Sequence, residues 1–106
     1  MENQHRKIKG YRELSQEEID LMNRIKVAGS ALLDLQFELI VLLKQQESDK
    51  VDAANQGRII EDGGVAEEEL ARFSLAEPLR WASIGKTDVQ TGIMALVRAV
   101  AQPAGC

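Results

Sequence analysis

The residues best suited to chemistry lie between His5 and Lys26. Arg6, Lys7, Lys9 and Arg12 crowd cations around Gly10-Tyr11, and Lys26 interrupts an apolar stripe begun by Ile19, Met22 and Ile25. An aromatic ring, a cluster of cations and a lysine at an apolar border suit a base and a phosphate. Each part also has a plain packing role. Residue type alone favours a Lys26 that carries its ammonium to water along the helix surface. Tyr11 can staple the arm to the helix with its hydroxyl wet, and the arm can be a solvated tail.

These residues need an element to position them. Ser15-Gln-Glu-Glu18 has capping-box spacing, in which the hydroxyl and the carboxylate each take an orphan backbone N–H. The spacing predicts a first helix from about Ser15 to Lys44. Its stripe is Ile19, Met22, Ile25, Ala28, Leu32, Leu33, Leu35, Leu39, Ile40 and Leu43. Phe37, Val41 and Leu42 make the far end apolar nearly all round, and such a helix must be buried on all sides. At ~1.5 Å per residue the rod is roughly 45 Å long, whereas a compact chain of this size has a radius of gyration near ~13 Å. The chain cannot cover its own helix, so an obligate homo-oligomer is expected.

Residues 45–78 carry weaker signals. Val51, Ala54 and Arg58-Ile59-Ile60 can extend the helix, and Gly63-Gly64 reads as a stop and turn. Val65 to Leu75 matches a short helix whose early glutamates and late Arg72 suit its dipole. Pro78 either ends that helix or starts the next. A second long helix is expected from Leu79 to Ala101, turning Trp81, Ile84, Val89, Ile93, Leu96, Val97 and Val100 toward the first. Gly85 and Gly92 either permit close helix approach or kink the helix, each costing ~1 kcal/mol in a helix interior. Pro103 closes the element. The expectation is an all-α chain: one domain over residues 1–106, an antiparallel helical hairpin with a short extra helix, and a basic arm at 1–14.

Composition narrows the partners. With aromatics at 4% and hydrophobics at 44%, the core must be mainly aliphatic. The net charge of −4 argues against a binder of long nucleic acid. Residues 1–12 hold four cations against Glu2, a net of +3, and the remainder nets −7. A small anion is drawn to the arm and a long polyanion repelled by the rest. The single cysteine, Cys106, excludes an intrachain disulfide and suggests no metal cluster. No apolar run approaches the ~20 residues of a membrane span, so a cytoplasmic protein without membrane partners is expected.

Several motifs fail. Gly85-Lys86-Thr87 lacks the glycine five residues earlier that a phosphate loop needs, since position 80 is Arg. His5 has no carboxylate arranged to orient it, and Glu67-Glu68-Glu69 suits a solvated helix start. No nucleophile, base and orienter assemble. The chain is expected not to be an enzyme and to need no cofactor.

Two stretches resemble a known family. Asn3-Gln-His-Arg-Lys-Ile-Lys-Gly-Tyr-Arg-Glu-Leu-Ser-Gln-Glu-Glu-Ile-Asp-Leu-Met-Asn-Arg-Ile-Lys26 is similar to the N-terminal half of the phage anti-CBASS cyclic-nucleotide sponges. Trp81-Ala-Ser-Ile-Gly-Lys-Thr-Asp-Val-Gln-Thr-Gly-Ile-Met-Ala-Leu-Val-Arg-Ala-Val-Ala-Gln-Pro103 resembles their C-terminal helix. The two blocks cover a little under half of the chain, and residues 45–78, a variable middle segment, fall outside them. The family shares its helical hairpin with the anti-Thoeris sponges. The resemblance implies a non-catalytic hexamer in the infected bacterial cell. It would sequester cyclic dinucleotides such as cyclic GMP–AMP, and in some members cyclic trinucleotides, starving a downstream effector of its messenger. It further implies that Tyr11 stacks on a base and Lys26 contacts the phosphates. Gly10 and Arg80 match positions that hold a second ligand between three subunits.

Two other functions fit the residues. One is a sponge for the cyclised ADP-ribose signals of Thoeris defence, although those proteins usually carry structure beyond the hairpin. The other is a structural helical oligomer or protein-binding adaptor that docks through the Phe37–Leu43 end.

Overall fold

The computed structural model describes residues 12–57 and 65–104. Gly10, Tyr11 and the expected Gly63-Gly64 stop lie outside the described residues. Three helices follow in order: α1 (Gln16–Asn55), α2 (Ala66–Ala76) and α3 (Pro78–Ala101), with no strand among the described residues. The chain packs as two compact units. One comprises Met1–Leu33 with Thr87–Cys106, the other Asp34–Lys86.

The capping box forms as its spacing requires. The Glu18 N–H donates to Ser15 Oγ at 3.1 Å, and the Ser15 N–H donates to Glu18 Oε1 at 2.9 Å. Glu17 and Glu18 place negative charge on the positive end of α1. Helix α1 runs past Lys44 to Asn55, taking in Val51 and Ala54, which the sequence allowed to extend it. Two interactions support the polar extension. Gln45 Nε2 donates to Asp49 Oδ1 one turn on, at 2.9 Å. Lys50 Nζ lies 3.0 Å from Glu69 Oε2 and 5.6 Å from the Phe73 ring centroid, so α2 supplies a partner that local spacing does not reveal. The stop falls at Gly57, whose φ of 65° suits glycine and whose N–H donates to the Ala54 carbonyl.

Helix α2 occupies the expected segment, with three glutamates in its first turn. It ends at Glu77, a left-handed residue whose N–H donates to the Ser74 carbonyl at 3.2 Å. Pro78 therefore starts α3, where its missing N–H costs nothing.

In the Asp34–Lys86 unit the buried apolar residues are Leu43, Ala66, Phe73 and Ala82. Gln36 Nε2 adds a hydrogen bond across the helices to the Ala82 carbonyl, at 3.0 Å. In the other unit Ile19, Met22, Ile25, Leu33, Ile93, Val97 and Val100 are half-buried, and Gly29 is buried. Two expectations for α3 need correction. Trp81 is 59% exposed and Leu96 54% exposed, and in α1 Leu32, Leu35 and Leu39 are exposed as well. One partner helix covers one side of a stripe, and these stripes are wider than that. The close-approach role of Gly85 and Gly92 also fails, since a Cβ at either would meet open space. The tight contact lies at Gly29, where a Cβ would run into the side chain of Ile93.

Candidate functional site

Local chemistry fixes the entrance to α1. Arg12, four residues before the helix, forks onto Glu18, its Nη1 lying 3.4 Å from Oε1 and its Nη2 donating to Oε2. The same Nη2 donates to the Val100 carbonyl at 2.8 Å, from 88 residues away in sequence. That carbonyl belongs to the last turn of α3, where carbonyls lack helical partners and attract cations. Arg12 thus ties the first turn of α1 to the last turn of α3, and these two segments run antiparallel. The Arg12 hydrogen bond and the Ser15 N–H hold the Glu18 carboxyl down at about 2, well below its ordinary 4.5.

This pairing changes the charge reading of the arm. Arg12 is one of the four cations that make residues 1–12 basic, and it is neutralised by Glu18. Its Nε is shut off from water and has no partner among the described residues. The other three cations, Arg6, Lys7 and Lys9, lie outside the described residues.

Lys26 sits in α1 with its side chain exposed. Among the described residues it has no ion-pair partner. Its exposure agrees with the expectation that residue type alone gives, an ammonium carried to water along the helix surface. Its neighbours explain the apolar border. Ile25 and Gly29, on either side of it, line an apolar groove with Ala28, Leu32, Val89 and Ile93. One wall is α1 and the other is α3, drawn together at Gly29.

Of the four residues the sequence singles out, Gly10 and Tyr11 lie outside the described residues. Lys26 belongs to the first unit and Arg80 to the second. Arg80 is exposed, with its guanidinium carbon 5.2 Å from the Trp81 ring centroid and its Nε 3.9 Å from Glu77 Oε2. It therefore presents a cation backed by an aromatic face. Sequence reasoning missed the paired state of Arg12. The available signal was a lone arginine six residues before the second acid of a capping box. It also missed Gly29, a glycine in a helix interior whose ~1 kcal/mol cost needs a packing reason. No group of three or more potential metal ligands occurs among the described residues. No described helix is long and apolar enough to cross a membrane.

Comparison with known proteins places this geometry in a family. The model of the Acb2/Tad1 hairpin domain matches residues 3–101. The match runs through residues 45–78, beyond the two blocks whose resemblance was legible. Anti-CBASS protein 2 of Pseudomonas phage JBD67 is 56% identical over 108 residues, covering 100% of both chains. The chain belongs to the Acb2/Tad1 hairpin-domain family.

Proposed function

We propose that this protein blocks CBASS antiphage signalling by sequestering cyclic dinucleotides without chemically changing them. The observation that carries this reading is the end-to-end identity of 56% with a phage anti-CBASS protein. That match favours CBASS over Thoeris as the defence countered. The site residues agree with it. Lys26 offers an exposed ammonium beside an apolar groove, and Tyr11, the single tyrosine, offers a stacking face in the basic arm. A stacked base gains roughly 1–3 kcal/mol, and a charge-assisted hydrogen bond to phosphate about 1.5–3 kcal/mol.

The working form is a homo-oligomer, with a hexamer as the family resemblance implies. Exposed Leu35, Phe37, Leu39, Val41 and Leu42 support it, since large apolar side chains clustered on one exposed segment mark an interaction surface. A second site for cyclic trinucleotides would use Gly10 and Arg80, whose guanidinium is exposed in unit Asp34–Lys86. Sequestration takes place in the cytoplasm of the infected cell.

Recovery of the ligand tests the non-catalytic part. Cyclic GMP–AMP is incubated with excess protein, free ligand is measured, and the protein is then denatured. Depletion of free ligand followed by full recovery of the intact cyclic form is expected. Linear or hydrolysed product would identify an enzyme instead.

A further inference from the structure

We infer that the apolar groove between α1 and α3, in the unit of Met1–Leu33 with Thr87–Cys106, is an interface between copies of this chain. Its occupant is the α1 helix of a second copy, lying antiparallel to the first. This rests on the proposed homo-oligomer and assigns its contact surface.

Helix α1 carries two adjacent stripes at heptad spacing, and the chain itself uses one. Met22, Gly29, Gln36 and Leu43 are buried or half-buried, and Gly29 and Gln36 touch α3. The neighbouring stripe is Leu21, Ile25, Ala28 and Leu32, and its alternation of four and three residues continues through Leu35, Leu39 and Leu42. All of these but Ile25 are exposed. That alternation sets apolar side chains for knobs-into-holes packing, so the spacing specifies a helix as the covering surface.

Helix α3 leaves room for that helix. Gly92 lines the groove beside Ile25, Ala28, Leu32 and Leu96, and a Cβ on it would meet nothing within 4 Å. A glycine weakens a helix interior, and nothing inside the chain needs this one. The close approach it permits is from outside.

The stripe is complementary to itself, which makes a second copy its partner. Arg24 and Glu38, two heptads apart, flank it, are exposed and have no ion pair among the described residues. In an antiparallel pair with Ala28 opposite Leu32 of the second copy, Arg24 of each copy meets Glu38 of the other. Two-fold symmetry makes that contact twice. In a parallel pair the same two residues would face Gly29 and Leu43, and no charges would pair.

The test is light scattering on the full-length protein at micromolar concentration, with circular dichroism for helix content. Gly92→Leu fills the groove while its Cβ meets nothing inside the chain. It is expected to cut the wild-type mass to half or less with helix content retained. Gly85→Leu is the control, because a Cβ there also meets open space but Gly85 does not line the groove. It should keep the wild-type mass. Wild-type mass in Gly92→Leu, or equal loss in both variants, overturns the proposal. Should Gly92→Leu lose its helices, the charge pair decides. Arg24→Glu is expected to raise the concentration of half-dissociation several-fold, and adding Glu38→Arg to restore it. Failure to restore it overturns the antiparallel pairing and the proposal with it. A wild-type monomer removes the homo-oligomer reading and this proposal together. A wild-type oligomer indifferent to Gly92→Leu overturns this proposal alone.

Discussion

Gly29 and Ile93 meet so closely that no methyl group fits between the helix backbone at one and the side chain at the other: a Cβ on Gly29 would lie 2.5 Å from Ile93 Cγ1. The contact draws the turn bearing Lys26 against α3. Gly29→Ala gains about 1 kcal/mol in helix propensity but overpacks the contact by about 1–3 kcal/mol. Net destabilisation of about 1 kcal/mol is expected from these opposing terms. Shortening the partner should relieve it, so Gly29→Ala with Ile93→Ala should cost less than the two changes summed, by about 0.5–3 kcal/mol. Urea unfolding at fixed protomer concentration measures the coupling. Simple additivity would show that the contact relaxes freely.

Acid should loosen the ion pairs that Glu18 and Glu69 make, one in each unit. Glu18 titrates at about 2, through Arg12 first and the Ser15 N–H next, and Glu69 at about 2, through Arg72 first and Lys50 next. A carboxylate whose folded value is depressed stabilises the protein fully above its ordinary 4.5, and that contribution fades as pH falls toward 2. The wild-type melting temperature is therefore expected to fall more steeply across that window than that of Glu18→Gln or Glu69→Gln. Identical slopes would mean that these pairs do not hold in solution.

Much of this architecture was legible in the sequence. Ser15 and Glu18 announced the start of α1, and α3 begins within one residue of the place its apolar spacing gave. The misses share a cause. The polar continuation of α1 is supported by Lys50 meeting Glu69 and Phe73, and Arg12 reaches the Val100 carbonyl from 88 residues away. Local periodicity carries no record of such partners. Gly29 was passed over for Gly85 and Gly92, because a helical glycine shows that space matters without showing which neighbour fills it. Lys26 was found from its place on the stripe. Its exposure follows from residue type, and the groove beside it needed α3 in position.

The apolar girth of α1 predicts assembly beyond a dimer. Phe37 is 67% exposed, Val41 55% and Leu42 53%, on a segment that a single partner helix cannot surround. Light scattering at micromolar concentration should give a mass above two chains, and Val41→Asp should lower it. A monomer mass for the wild type would contradict the oligomer and any site shared between subunits.

Binding through Tyr11 and Lys26 is tested most directly by calorimetric titration of cyclic GMP–AMP into the wild type, Tyr11→Ala and Lys26→Ala, with light scattering on the same samples. The wild type should bind. Each variant should bind roughly ten- to a hundredfold more weakly, at ~1.4 kcal/mol per decade, with its oligomer mass unchanged. Wild-type affinity in both variants, or affinity lost only where the oligomer dissociates, would contradict the assignment.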